Sequence, residues 1–394
     1  MSYSIGTIGD LATIEMGQSP KGNTVRRVPI GLPLLNGPTE FGQQHPTPAQ
    51  WTEAGVRFAH AGDILFCVRG STTGRMNRAD QNYAIGRGIA ALRARDGVNS
   101  RIVKYALEAS LSELLAGVSG SVFPNLSRYQ ILGHRVPVPP RAERQAIAEV
   151  LGALDDKIAA NAALAATADK LVRAEYAALK SHVVHVGEVA ASPRSGVDPS
   201  SVDLDDLSVG LEHMGRRHMW LADGGRAEDV SSTKSRFEPG DILFGKLRPY
   251  FHKVVVAPRS GICSTDILVV RSRYEGLSSV LLAALSSDAV IEEVVAASEG
   301  TRMPRTSWKD LAAVEIRWPT ADAAPQLASR LDSIRGAALA AVAENRTLAA
   351  TRDALLPQLM SGKLRVRDAE AAASEAGALQ GYDELEKDTH DIAE

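Results

Sequence analysis

Two short polar segments stand at equivalent places in two similar stretches of this chain. The first is Arg69-Gly-Ser71-Thr72-Thr-Gly-Arg75-Met-Asn77-Arg78, and the second is Lys246-Leu-Arg248-Pro-Tyr250-Phe-His-Lys253. Arginine offers a two-pronged donor to guanine or phosphate. Serine, threonine and asparagine hydrogen-bond bases or backbone, and glycine lets the main chain come close. The chemistry suggested is contact with a polyanion, with a solvated hairpin end as the alternative. A second repeated loop, Gly117–Ser127 and Ala297–Ser307, places Gly-Ser or Gly-Thr four residues before a proline. There Arg302 and Arg305 are candidate phosphate ligands, or the loop is a structural turn. Lys21, in Gly17-Gln-Ser-Pro-Lys-Gly22, is a further candidate of the same kind.

Residues for bond-making chemistry are missing from the pattern. No G-x-x-x-x-G-K-[ST] phosphate cradle occurs, and Gly86-Arg-Gly88 stops short of a dinucleotide fingerprint. The Pro-Pro at 139–140 follows Val138, so the Asn/Asp-Pro-Pro-aromatic tetrapeptide of amino-methyltransferases is not formed. Among nine histidines the best spacings are His182/His185 and His213/His218, which read more simply as surface residues than as metal ligands. No catalytic residue and no metal site is assigned.

The elements that must position the two polar segments are duplicated. Gly62-Asp-Ile-Leu-Phe66 returns as Gly240-Asp-Ile-Leu-Phe244, and Pro124, Ser127, Ile131, Val136 and Pro139 align with Pro304, Ser307, Leu311, Ile316 and Pro319. A repeat this long is a duplicated domain rather than a solenoid. Strands are expected at Ile64–Val68, Ala84–Ile85 and Gly88–Leu92, with a helix over Val103–Leu115. The second copy repeats them at Ile242–Phe244, Val254–Val256 and Ile267–Val270. Hydrophobic content of 44% and charged content of 23% suit a globular chain. No apolar run is long enough to span a membrane, no secretory signal is visible, and Cys67 and Cys263 read as buried thiols of a reducing cytoplasm.

Charge is uneven. Residues 1–140 carry 14 basic and 9 acidic side chains, residues 181–320 carry 16 and 19, and residues 365–394 carry 3 and 9. The body is therefore only mildly basic, so any nucleic-acid contact must rest on local focusing or on a partner.

Each copy runs into a long helix. In 141–180 the seam Ile147, Leu151, Leu154, Ile158, Asn161, Ala165, Ala168, Val172 alternates steps of four and three, a heptad pattern. In 321–364 the seam is Leu327, Leu331, Ile334, Ala338, Ala341, Asn345, Leu348, then Leu355 and Leu359, with Pro357 placed to bend it. The simplest partner for each seam is the other helix, antiparallel; packing on its own module is the alternative. Asn161 and Asn345 would either set register or sit at partial exposure. Leu164-Ala-Ala-Thr167 returns as Leu348-Ala-Ala-Thr351 at an offset of 184, where the heads align at 178 to 180. The fold class expected is α+β: two similar mixed α/β domains, 1–140 and 181–320, separated by a long antiparallel two-helix coiled coil with pseudo-twofold duplication. The acidic tail 365–394 is expected to be unstructured.

These residues resemble the specificity subunit of type I restriction-modification systems. The carriers are the Gly-Asp-Ile-Leu strands, the Gly-Ser/Thr…Pro…Ser loops, Val136-Pro-Val-Pro-Pro-Arg-Ala-Glu-Arg-Gln-Ala-Ile-Ala-Glu-Val-Leu-Gly-Ala-Leu-Asp-Asp-Lys-Ile158, and Leu355-Leu-Pro-Gln-Leu-Met-Ser-Gly-Lys-Leu364. The resemblance covers about 1–366. It departs where the family's Glu-Gln after the prolines is Glu143-Arg144 here, and where the second copy has Asp322-Ala-Ala324. It implies two target-recognition domains reading the halves of a split double-stranded DNA target. It also implies spacer helices that act as a ruler and dock methyltransferase (M) subunits, two of them, with restriction/translocase (R) subunits beyond. Catalysis, S-adenosylmethionine, Mg²⁺ and ATP would belong to those partner subunits, none to this chain. A coiled-coil adaptor with paired protein-binding modules is the competing reading.

Overall fold

The computed structural model describes residues 3–117, 125–193, 196–197, 202–203, 206–226, 232–298 and 303–379. The first copy runs β1 (Ser4–Thr7), α1 (Ile8–Leu11), β2 (Ala12–Met16), β3 (Val25–Arg26), β4 (Leu32–Leu35), β5 (Trp51–Thr52) and β6 (Phe58–Ala59). It continues through β7 (Ile64–Cys67), β8 (Met76–Arg78), β9 (Tyr83–Ile85) and β10 (Ile89–Ala94). Helices α2 (Ser100–Ala109), α3 (Leu111–Ala116) and α4 (Arg128–Gly133) follow, then β11 (Arg135–Val138) and the long α5 (Arg141–Ala177).

The second copy begins with β12 (Ser181–His185), α6 (Val186–Val189), β13 (Ala190–Ala191), β14 (Gly196–Val197), β15 (Leu207–Val209) and β16 (Gly225–Arg226). Then come β17 (Lys234–Phe237), β18 (Ile242–Gly245), β19 (Val254–Val256), β20 (Gly261–Ser264) and β21 (Ile267–Ser272). It closes with α7 (Ser278–Leu285), α8 (Asp288–Ala297), α9 (Trp308–Ala313), β22 (Glu315–Pro319) and α10 (Ala324–Ser361), and α11 (Val366–Glu375) follows.

Two compact units result. One comprises residues 1–159 and 346–394, the other residues 160–345. Each therefore holds one head, half of α5 and half of α10. The first contains the ribbon β1-β11, the sheet β2-β10-β7-β8 and a five-stranded sheet β3-β5-β4-β9-β6. The second repeats the ribbon as β12-β22 and the four-stranded sheet as β13-β21-β18-β19, and its five-stranded sheet, β14-β17-β20-β15-β16, shares four strands with the first and differs in its edge strand. The fold class expected from sequence is the one found. The helix expected over Val103–Leu115 is corrected: it breaks at Ser110, whose hydroxyl bonds back to the Ala106 carbonyl.

The repeated Gly-Asp turn is held the same way in both heads. Gly62 and Gly240 have φ of +91° and +84°, a region that only glycine enters freely. The following aspartate is buried. Asp63 caps the His60 amide at 2.8 Å and takes two bonds from Arg93, at 3.0 and 2.8 Å. Asp241 does likewise with the Glu238 amide at 2.8 Å and Arg271 at 2.7 and 2.8 Å. Each pair ties the start of a central strand to its neighbour, β7 to β10 and β18 to β21.

Both readings of the helical seams hold at once. In the first unit Ile147, Leu151 and Leu154 of α5 and Leu348, Leu355 and Leu359 of α10 share one core with Ile8, Phe66 and Tyr105 of the head. In the second, Ala168 and Val172 pack with Leu327, Leu331 and Ala338 and with Ile242, Phe244 and Trp318. Ile158 and Ile334 are half-buried beside these cores. Asn161 is buried and donates to Glu344 at 2.6 Å, while Asn345 is half-buried. Helix α10 runs through Pro357.

The unstructured tail is corrected for its first part. Val366–Glu375 forms α11 and buries Ala369 and Ala373 against the first unit's core. Alanines at i and i+4 make a face that needs no large apolar residue. Residues 380–394 lie outside those described.

Candidate nucleic-acid interface

In the second unit the polar segment follows β18 and is unusually constrained. A single turn of 3-10 helix, Pro249–Phe251, is flanked by Arg248 at φ +51° and His252 at φ +53°. The only other non-glycine residue with positive φ among the described residues is Arg217, at +58°, and its amide bonds the His252 carbonyl at 2.9 Å. Such left-handed residues cost on the order of 1–3 kcal/mol each and persist where the surroundings force them. Here the Arg248 amide bonds the Pro304 carbonyl at 2.8 Å, and the buried His252 ring meets the Ser286 carbonyl at 2.9 Å.

The constrained turn presents a cationic, aromatic surface. The Arg216 guanidinium lies 3.9 Å from the Phe251 ring centre and that of Arg248 lies 5.9 Å from it. Tyr250 meets Phe251 edge-on at 4.8 Å and is 50% exposed. Guanidinium planes over rings and a free phenol suit stacking on bases and pairing with phosphate. The lysines do other work. Lys246 donates to the Thr265 carbonyl at 2.6 Å, and Lys253 donates to the Leu211 carbonyl. Burial depresses both ammonium groups below the usual lysine range, helped by Arg305 for Lys246 and by Arg216 for Lys253. They fasten the loop. Arg305, half-exposed, is paired with Asp266 beside them. Arg302 lies outside the described residues.

In the first unit the equivalent segment is a glycine turn between β7 and β8. Gly70 and Gly74 have φ of +84° and +95°, and Thr73 donates through its hydroxyl to the Gly70 carbonyl at 2.8 Å. Arg69, Ser71 and Arg75 are exposed on it, and Thr72 is half-buried against the Cys67 sulfur at 3.5 Å. Asn77 does not reach outward, which corrects the expectation for it: it is only 6% exposed and donates to the Gly42 carbonyl at 2.8 Å. Arg78 is half-buried and, with Arg101, Lys104, Asp155 and Asp156, lines a charged cleft. Lys21 is exposed, its carbonyl taken by the Thr24 amide at 2.9 Å. Residues 118–124 of the second repeated loop lie outside those described. Its ends sit beside the turns, Asn125 bridged to Arg69 and Arg305 to Leu247.

Sequence reasoning missed Arg216, Phe251 and the helix contacts that hold each head. Asp155 takes Lys104 at 2.6 Å, Tyr105 at 3.0 Å and Arg352 at 3.1 Å. Burial alone would raise its pKa, but Lys104 and then Arg352 outweigh it and hold the carboxyl below the usual range. In the second unit the buried Asp169 accepts from the Met219 amide at 3.0 Å and pairs with His218 at 3.1 Å. Among the described residues no group of three or more His, Cys, Asp or Glu is placed to hold a metal, and no helix is long and apolar enough to cross a membrane.

Comparison with known proteins gives this geometry a context. Residues 2–168 match the family model described as the type I restriction modification DNA specificity domain. The chain is 33% identical over 146 residues to the MjaX type I restriction enzyme specificity subunit of Methanocaldococcus jannaschii, and 25% identical over 107 residues to the EcoDI specificity subunit of Escherichia coli. These matches span 37% and 27% of this chain but only 34% and 24% of the relatives' own lengths. The fold is similar to that of the type I restriction-modification S subunit from M. genitalium, with a TM-score of 0.62 at 16% identity over 91% of this chain and 96% of that one.

Proposed function

We infer, from the match of residues 2–168 to the type I restriction modification DNA specificity domain, that the whole chain is the DNA-specificity subunit of such a system. In this reading 1–140 and 181–320 are target-recognition domains, each reading one half of a bipartite duplex target. The helices of 141–180 and 321–364 set the spacing and dock two methyltransferase subunits. The chain itself performs no catalysis. S-adenosylmethionine, Mg²⁺ and ATP act on partner subunits, nuclease subunits included, in the cytoplasm.

The observation that carries this is a repeated scaffold ending in divergent polar turns. Asp63–Arg93 and Asp241–Arg271 hold the two heads alike, yet Arg69–Arg78 and Lys246–Lys253 share no pattern. Two unlike readers on like frames fit a target whose half-sites differ. The test is duplex binding by the full chain with its methyltransferase partners across a salt series. Arg216→Ala with Arg248→Ala is expected to weaken binding and to flatten the log–log salt slope by about 0.9 per lost phosphate contact. Lys246→Ala, whose ammonium is used internally, is expected to change the slope little. Unchanged affinity and slope in the double arginine variant would refute the assignment of this turn.

A further inference from the structure

One motif of the first head, Gly86-Arg87-Gly88, stands apart from the polar turn yet lies beside its base. It links β9 to β10, with the Ile89 amide bonding the Gly86 carbonyl at 3.1 Å. Three other segments close on it. The Gly86 amide bonds the Leu35 carbonyl at 2.8 Å, the Arg87 amide meets the Ser19 hydroxyl at 3.3 Å, and the Val68 amide bonds the Gly88 carbonyl at 2.9 Å. The fit requires both glycines. A β-carbon on Gly86 would lie 2.3 Å from Asn36 Oδ1, and one on Gly88 2.4 Å from the Asn36 carbonyl oxygen. The backbone of the turn is therefore fixed. Its side chain, Arg87, is exposed, and the guanidinium has no partner among the described residues.

Four backbone segments run side by side at this end of the head. Residues 17–21 border the turn through the Gly17 and Gln18 amides, which bond the Ile89 and Ile85 carbonyls at 2.9 Å each. On its other side Val68 leads into residues 69–75, and the Leu126 amide of segment 125–127 bonds the Val68 carbonyl at 2.9 Å. Together the four segments expose Lys21, Arg69, Arg75 and Arg87 and hold no acidic residue. Carboxylates on adjoining stretches offset this little. Glu15 is taken by Arg57 at 2.8 Å, and Glu40 has its Oε2 buried. Glu113 stands two residues past the Leu111 side chain that lies against Gly74, one charge against four. The balance at this edge is cationic, as contact with a polyanion requires.

The second head builds the same turn and puts another residue on it. The Lys246 amide bonds the Asp266 carbonyl at 2.8 Å, as that of Val68 bonds Gly88, and the exposed tip between β20 and β21 is Thr265. Phosphate contacts carry no sequence information, so two heads can share them, whereas residues that read bases must differ where half-sites differ. A fixed backbone also suits base reading, which depends on where the donors of a side chain are placed. We propose that Arg87 is a specificity-determining residue of the first head, its two-pronged guanidinium pairing with a guanine of the half-site that head reads. This rests on the DNA-specificity reading above.

The experiment selects bound duplexes from a random-sequence pool with the full chain and its methyltransferase partners, then measures affinity for the selected site across a salt series. The wild-type complex is expected to select a bipartite site. Arg87→Ala is expected to relax one G·C pair in one half-site, the preference there falling about tenfold or more, while the other half-site keeps its letters. Its thermal melting should match that of the wild type, because the side chain is exposed and unpaired. Unchanged letters with a salt slope flattened by about 0.9 would make Arg87 a phosphate contact and overturn base reading. Unchanged letters and an unchanged slope would overturn any contact. Relaxation at an A·T pair instead would overturn the guanine assignment. Selection of no sequence by the wild-type complex would overturn the DNA reading and this proposal together.

Discussion

Asp63 and Asp241 are the residues on which each head turns. Each is a buried carboxylate that caps a backbone amide and receives two guanidinium bonds. Its removal leaves an amide without an acceptor and takes two bonds from an arginine, although Arg271 keeps Glu238 at 3.0 Å. Hydrogen bonds to charged groups contribute about 1.5–3 kcal/mol, so Asp241→Ala is expected to destabilise the second unit by about 2–3 kcal/mol. Denaturant titration of the full chain measures this, and a loss below about 0.5 kcal/mol would sink the account. The turn itself was legible, because Gly-Asp before an apolar run is a local signal. Its arginine partner was not, since Arg93 lies thirty positions on. The repeat did hold the clue, as Arg271 stands thirty positions after Asp241. Asn77 was misread because a polar residue in a glycine turn says nothing about which way it points.

At the scale of elements, the contacts between helix and head depend on pH, with opposite signs at two histidines. The hydrogen bond to Asp169 raises the His218 pKa above its ordinary value. Its contribution is therefore complete below the unfolded value of about 6.5 and is lost as pH rises through the higher folded value. His252 is the reverse: burial, then Arg173, lowers its pKa, so its contribution holds above about 6.5 and is lost as pH falls. His218→Gln is expected to remove part of the stability loss on the alkaline side, and His252→Gln part of the loss on the acid side. Thermal melting of the full chain from weakly acid to weakly alkaline pH would show this. Identical profiles for wild type and both variants would contradict the assignment. In the first unit, Asp155→Ala removes the carboxylate that Lys104, Tyr105 and Arg352 share, leaving Lys104 with Glu108 and Arg352 with Asp353, and is expected to cost about 1.5–3 kcal/mol by denaturant titration. An effect within about 0.5 kcal/mol would show that the network contributes little. The heptad seams were legible from their four-three steps. The helix α11 was not, because a face of alanines has no large apolar residue to mark its period.

At the scale of the whole molecule, the duplication makes the helices subject to one rule, that a change in one must be answered in the other. In the second unit Asn161 meets Glu344 and Glu175 meets Arg330, so positions on α5 and α10 that face each other sum to about 505. Residues 164–167 of α5 therefore face about 338–341 of α10. Deleting Leu164–Thr167 alone would shift Glu175 off Arg330 and every seam residue between them. Deleting Ala338–Ala341 as well restores the pairing, since four residues are about one helical turn and return the seam to nearly the same face. If the helices act as the proposed ruler, this paired deletion shortens it by about 6 Å, at about 1.5 Å per residue. With base pairs about 3.4 Å apart, the gap between half-sites should contract by about one or two base pairs. The letters of both half-sites should be unchanged, because no residue of either polar turn is touched. Mapping methylated adenines in cells carrying the paired deletion gives spacing and letters in one measurement. Altered half-site letters at the original spacing would mean that the helices do not set the distance. Loss of methylation from the single deletion but not from the paired one would show that seam register, and not helix length alone, holds the reading heads in place.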